Sequence, residues 1–196
     1  MIMRLLSRLG LGGKSKPVVA PAARFGVSNA GVSGGAMQVI ERLQSKGYRA
    51  FIVGGAVRDL LLGFKPKDFD IATDATPEQV KRLFRRAFII GRRFQIVHVM
   101  FGQDLLEVTT FRGAAVEAAP KDEHGRVLRD NTFGEQHEDA LRRDFTINAM
   151  YYDPATQVVL DYHGGMADIR GRTLRIIGVP EERYREDPVR MLRVVR

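Results

Sequence analysis

An α+β domain is the fold class this sequence predicts, on three observations. A strand, a glycine pair and a short helix follow one another in "FIVGGAVRDLLLG". Two apolar, β-branched runs, "FQIVHVMF" and "LLEVTTF", are joined by Gly102, Gln103 and Asp104, a connection suited to a hairpin. Between the strands stand helices with explicit start signals.

Taken in order, residues 1–34 carry Arg4, Arg8, Lys14, Lys16 and Arg24 without one acid, among Gly, Ala, Pro and Ser, which predicts a flexible basic arm. From Ala36, "AMQVIERLQSKG" has the spacing of an amphipathic helix stopped by Gly47, and "YRAFIV" reads as a buried strand. Gly54 and Gly55 make a tight turn into "AVRDLLLG", a short helix closed at Gly63. After "DFDIAT", Thr76, Pro77 and Gln79 supply an N-cap, a first-turn proline and a capping-box partner for the helix "PEQVKRLFRR". The hairpin then places Glu107 on a strand. Residues 113–136 lack periodicity and predict a mobile loop, after which "EDALRRDFTINAMYY" returns to helical spacing. "QVVLDY" and "TLRIIG" read as short strands around "HGGMADIRG", and helices restart at Pro180 and at Asp187–Pro188.

Composition narrows the setting. The 196 residues, 44% of them hydrophobic, suffice for one domain with a substantial core plus the start of a second. No run approaches the roughly 18 apolar residues of a membrane span, and Arg4 and Arg8 interrupt any leader-like apolar stretch. A cytoplasmic protein without stable membrane insertion is expected. The absence of cysteine excludes disulfides and thiolate metal sites, so a metal must be held by oxygen or imidazole. A net charge of +8 and a pI near 10.1 point to a polyanionic partner, nucleic acid ahead of an anionic membrane.

The chemistry-bearing stretch is "KPKDFDIATDATPEQV". Asp68 and Asp70 stand at i and i+2, so on a strand both carboxylates point the same way, repel, and raise one another's pKa. A cation between them relieves this, and hard oxygen ligands suit Mg²⁺, which completes its shell with water and substrate phosphate. Two such ions, about 3.5–4 Å apart, activate an attacking hydroxyl and stabilise leaving pyrophosphate, with Glu107 as a natural third ligand. Two strand-end charges in water satisfy the same spacing. Upstream, the glycine pair lets backbone N–H groups approach a phosphate, with Arg58 within reach of the same anion, although a plain strand-to-helix turn needs the same glycines.

Taken together and in order, "FIVGGAVRDLLLG", "KDFDIATDATPEQV", "EVTTFRG", "LRRDFTINAM", "DYHGGMADI" and "REDPVRMLR" resemble the class II nucleotidyltransferase family of bacterial poly(A) polymerases and tRNA CCA-adding enzymes. The likeness covers residues 51–193, and "IIGRRFQIVHVMFG" resembles the segment that marks the poly(A) polymerase branch. The resemblance implies a polymerase-β-like head, a mixed sheet flanked by helices, over residues 35–170, and the start of a helical neck over 171–196, so that the chain reads as an N-terminal fragment. It implies transfer of AMP from ATP to the 3′-hydroxyl of RNA, with CCA addition to tRNA or RNA binding without catalysis as alternatives.

Position by position, Asp68, Asp70 and Glu107 match the family's metal-binding carboxylates, and two Mg²⁺ ions are implied. Gly54, Gly55 and Arg58 match its triphosphate turn. Arg143, Asp144 and Asn148 match a nucleotide-contacting helix, and Asp187 and Arg190 a protein edge that reads the base. Each has a plainer account: a solvated helix face for the first group, and for Asp187 an ordinary helix start before proline. Gly164 and Gly165, braced by Asp161 and Asp168, match the hinge between head and neck, or a simple turn. His98, on an apolar strand, is read as a core histidine and left outside the site. The cations Lys81, Arg82, Arg85, Arg86, Arg92 and Arg93 either track RNA phosphate or are merely solvated.

Overall fold

The computed structural model describes residues 16–91, 94–113 and 132–195. Residues 1–15 of the basic arm, Arg92, Arg93 and most of the expected loop over 113–136 lie outside the described residues. In chain order the elements are β1 (Val18–Pro21), α1 (Gly34–Ser45), β2 (Ala50–Val53), α2 (Gly55–Leu61), β3 (Asp70–Thr73), α3 (Pro77–Leu83), β4 (Ala87–Ile90), β5 (Ile96–Phe101) and β6 (Asp104–Thr110). They continue with α4 (Gln136–Arg142), β7 (Met150–Asp153), β8 (Val158–Asp161), α5 (Gly165–Arg170), α6 (Pro180–Glu186) and α7 (Val189–Val194). Among the described residues the strands form one sheet in the order β1-β8-β7-β2-β3-β6-β5-β4, antiparallel except where β3 runs parallel to β6. The α+β reading is therefore what the structure shows, and no helix among the described residues is long and apolar enough to cross a membrane.

Alternation along the strands gives the sheet two different faces. On one, Val97, Val99, Leu106, Val108, Ile52 and Ile71 pack with the apolar stripes of α1, α2 and α3, including Val39, Leu43, Val57 and Val80. On the other, Phe51, Val53, Ala72, Phe111, Ala140 and Tyr151 make a smaller cluster whose rings meet at centroid separations of 6.2–6.3 Å. That second face carries the polar chemistry described below.

The start signal of α3 forms as read. Thr76 Oγ1 accepts from the Gln79 N–H, and Gln79 Oε1 accepts from the Thr76 N–H. Loss of such a cap costs about 1 kcal/mol. Thr76→Ala is expected to destabilise the domain by about that amount, read as a lower urea midpoint at unchanged m-value.

Four expectations are corrected. Residues 17–34 are not a free arm: β1 pairs with β8, Ala22 donates its N–H to the Gln157 carbonyl, and Val27 joins the core. The stretch 138–152 is not one helix. Helix α4 ends at Arg142, a single 3₁₀ turn spans Thr146–Asn148, and Met150, Tyr151 and Tyr152 are buried in β7. The break has a local cause, because Asp144 Oδ1 takes the Phe145 N–H at 2.7 Å and removes it from a helical ladder. "TLRIIG" contributes a one-residue bridge, Ile176 with Phe145, in place of a strand. Finally, β3 begins at Asp70, so Asp68 lies in the turn before it. On one side its neighbour β2 ends at Val53, paired with Asp70, and Gly54 turns away, so β2 offers Asp68 no partner.

The Gly164–Gly165 turn is rigidly held. Asp161 accepts backbone N–H groups of His163, Gly164, Gly165 and Met166 on its two oxygens, and a Cβ at Gly165 would overlap the Thr146 carbonyl.

Candidate active site

The ends of β2, β3 and β5, the body of β6, the start of α2 and the ends of α4 and α6 converge on one cleft. Register places Asp70 on β3 directly beside Glu107 on β6 and beside Val53 at the end of β2. The chain turns at Gly54 with φ 76 and ψ −138, a conformation that side-chain-bearing residues rarely adopt. A Cβ there would stand 3.8 Å from both Asp70 Oδ2 and Arg143 Nη1, so the glycine marks the point where a tight turn, a carboxylate and a guanidinium meet. The cleft enclosed there has a volume of about 540 Å³, and its walls include Gly54, Gly55, Asp70, Glu107, Arg143, Asp144, Asn148, Asp187 and Arg190.

Two expected residues do not line it. Asp68 borders a neighbouring cavity of about 820 Å³, formed with the segments around Ser28, Lys65 and Gln103. Arg58 is turned aside: its Nε and Nη2 bind Asp59 Oδ1 at 2.9 and 2.7 Å, and its Nη1 binds Asn148 Oδ1 at 2.9 Å. Arg58 thus reaches the site through Asn148, which fixes the amide's orientation.

The electrostatics divide the cleft. On the acidic side, partial burial together with the neighbouring Glu107 and Asp68 holds the Asp70 carboxyl above its usual range, and Arg143 offsets this only in part. Glu107 also faces His98 across the β5–β6 ladder, with Nε2 3.5 Å from Oε1, so this half-buried histidine has a carboxylate partner and not a purely apolar setting. Among the described residues no three acidic or histidine side chains stand close enough together to hold an ion by themselves. The donor set is an open pair of hard oxygen groups under mutual repulsion, which fits a cation such as Mg²⁺ that keeps water and substrate oxygens in its shell.

On the basic side, Arg143 binds Asp139 Oδ2 through Nε and Nη2 at 3.2 and 3.0 Å, and the Tyr151 hydroxyl donates to the same oxygen at 2.6 Å. Burial alone lowers an arginine's pKa, but Asp139 and Tyr151 outweigh it and keep Arg143 firmly charged. Next to it, burial and the adjacent Arg112 push Arg142 down to about 10, and its Nη1 donates to the Gly113 carbonyl at 2.6 Å. Asp144 Oδ2 accepts from Arg193 at 3.0 Å, and the hydrogen bonds it receives from Phe145 and Arg193 hold it below the usual carboxylate range against burial.

Helix α6 closes the wall. Arg183 Nη2 donates at 2.7 Å to the carbonyls of Arg142 and Arg143, capping the end of α4, while Arg183 Nη1 and Arg190 Nη1 grip Glu186 at 2.6 and 3.0 Å. Arg190 is buried, and Asp187 both accepts the Val189 N–H and lies at the cleft. The sequence reading missed Asp139, Tyr151, Arg183 and Arg193. Asp139 and Arg143 stand at i and i+4 within "EDALRR", a spacing that could have paired them.

Residues 50–175 match the family described as the Poly A polymerase head domain. The chain is 53% identical to Poly(A) polymerase I of Escherichia coli O6:H1 over 184 residues, covering 91% of this chain and 40% of that protein. It is 37% identical to the CCA-adding enzyme of Staphylococcus aureus (strain MRSA252), covering 82% of this chain and 39% of that one. Among solved structures it resembles the Bacillus stearothermophilus CCA-adding enzyme in complex with CTP, with a TM-score of 0.69 at 39% identity, over 82% of this chain and 37% of that chain. This chain therefore spans about two fifths of the length of the relatives it matches.

Proposed function

This chain belongs to the poly(A) polymerase head-domain family, and we propose that it carries the catalytic centre of a polymerase that adds AMP from ATP to RNA 3′ ends in the cytoplasm, without a template. The observation that carries the reading is the meeting of Asp70, Glu107, Arg143 and the Gly54 turn in one cleft. The higher likeness to a poly(A) polymerase, 53% against 37%, favours adenylate addition over CCA addition. We also take residues 17–170 as the head, since β1 and Val27 belong to its sheet and core, and 171–196 as the beginning of a neck.

Asp70 and Glu107, with Asp68 from the adjoining turn, would hold Mg²⁺, most simply a pair of ions. Bound there, the metal supplies charge for the nucleotide's phosphates and lowers the pKa of the attacking hydroxyl. The chain's own groups then position the substrates. Gly54 and Gly55 leave room for a phosphate against the backbone, and Arg143, kept charged by Asp139, faces that phosphate's negative charge. Asn148, held by Arg58, and Asp144 offer hydrogen-bonding groups to the ribose. Asp187 and Arg190 present polar edges to the base, Arg190 being fixed by Glu186 and the Arg183 carbonyl.

A mispaired base would leave such polar groups unsatisfied at roughly 1–3 kcal/mol each, enough for a strong preference. Arg190→Ala in the full-length protein is expected to erode the ATP-over-CTP preference by about fivefold or more, since a loss of about 1 kcal/mol corresponds to that ratio. The deciding assay extends a generic RNA and a tRNA lacking its terminal CCA with ATP or CTP alone, resolved on denaturing gels. Repeated A addition to the generic RNA supports the reading. Three-nucleotide completion of the tRNA with no growth on generic RNA would reassign the protein to CCA addition.

A further inference from the structure

One row of side chains runs from the carboxylates to the sheet's far edge. Register sets Asp70 on β3 opposite Glu107 on β6, Glu107 opposite His98 on β5, and His98 opposite Phe88 on β4. Residues paired across strands share a face, and at about 4.8 Å per strand this row spans roughly 14 Å. Its outer end is apolar and open: Phe88 is 56% exposed, Ile90 46% and Leu105 55%, with Ile96 and Met100 half-buried on the same face. The opposite side of these strands, Val97, Val99, Leu106 and Val108, is core. Beside the row, Arg86 Nη2 lies 3.5 Å from Met100 Sδ, putting a guanidinium at the rim.

We infer that this open face is the platform for the 3′ end of the RNA, with Phe88 stacking the last-but-one base and His98 underlying the terminal ribose. The substrate identity rests on the AMP-transfer reading. A flat aromatic and aliphatic sheet face binds any base by stacking, which suits a strand that must be held without regard to sequence. An exposed apolar edge of this size is otherwise an aggregation hazard. The row ends at the two carboxylates where an acceptor hydroxyl would have to react, and the side-chain contact between His98 and Glu107 makes the two sites continuous. Arg86 and the chain's net charge of +8 complement a phosphate backbone.

The test uses the full-length protein and a short RNA whose 3′ end is a dideoxynucleotide, with a photoreactive base one position upstream and no nucleotide present. Expected results are a crosslink to the peptide containing Phe88 or His98, binding weakened about tenfold in Phe88→Ala, and recovery in Phe88→Tyr, because an aromatic ring and not its edge chemistry carries the stacking. In steady-state extension of an unblocked RNA, Phe88→Ala should raise KM for RNA by a similar factor and leave KM for ATP within about twofold. A wild-type crosslink confined to another surface would overturn the platform, as would unchanged RNA binding in both Phe88→Ala and Phe88→Glu. Wild-type protein that binds and crosslinks as expected but transfers no AMP refutes the proposed activity and leaves the platform standing.

Discussion

Asp70→Asn is expected to cut AMP transfer by on the order of 10³-fold or more, because several kcal/mol of metal-borne charge stabilisation is lost from the transition state. The same change is expected to raise the melting temperature at pH 7 in the absence of divalent metal. Partial burial, Glu107 and Asp68 all hold the Asp70 carboxyl above its ordinary value of 3.8. A folded-state value above the unfolded one means the folded protein binds that proton more tightly. The contribution of Asp70 to stability is then greatest at low pH, falls as pH climbs from 3.8 through the folded value, and stays lower above it. At pH 7 the ionised side chain is therefore a net cost that asparagine removes. Added Mg²⁺ should stabilise the wild type and shift the variant much less, since a cation binds only where the charge remains. Thermal melts with EDTA or Mg²⁺, run beside single-nucleotide extension, check both halves. Retained transfer would reject the metal assignment, and a lowered melting temperature would mean that attraction to Arg143 outweighs the repulsion.

The stretches whose structure follows from neighbours in sequence were legible beforehand. The "FIV" strand, its glycine turn, the Thr76 capping box and the Gly102–Gln103 hairpin each depend on a few adjacent residues, and each forms. What depends on distant partners was not. β1 is a four-residue strand among Gly and Pro whose partner, β8, lies some 140 residues away, so local composition reads only as a loose arm. "FTINAMYY" has helical spacing, yet Tyr151 and Tyr152 are drawn into β7 between β8 and β2, and the backbone departs at Asp144. The D-x-D motif predicted two carboxylates on one strand. The strand starts one residue pair too late for that, level with the end of β2 at Val53, so Asp68 lies in the segment before it. Within the cleft, Gly54, Asp70, Glu107, Arg143 and Asp187 were named from the motifs, while the groups that hold the wall together, Asp139, Tyr151 and Arg183, lie buried or cap a helix end and stand out in no motif.

That holding network yields the largest expected effect on stability. Asp139 is 6% exposed and serves two partners on one oxygen, the Arg143 guanidinium and the Tyr151 hydroxyl. It also accepts the Arg112 N–H on the other at 3.2 Å, so it ties α4, β7 and the segment after β6 together. Asparagine keeps the shape and removes the charge, leaving Arg143 without its compensating carboxylate in the low-dielectric space between Tyr151 and Gly54. Removing one partner of a buried pair costs about 3–5 kcal/mol, because the remaining charge is stranded. For a domain of this size that corresponds to a loss of roughly 10 °C in melting temperature. Tyr151→Phe, which deletes one hydroxyl and keeps the ring packed on Phe51 and Phe111, is expected to cost only about 1 kcal/mol. If stranded charge is the cause, Arg143→Met in the Asp139→Asn background should restore much of the loss, although nucleotide binding would go with the guanidinium. A double-mutant cycle in urea reads this coupling directly, and additive costs for the two substitutions would show that Asp139 acts through packing alone.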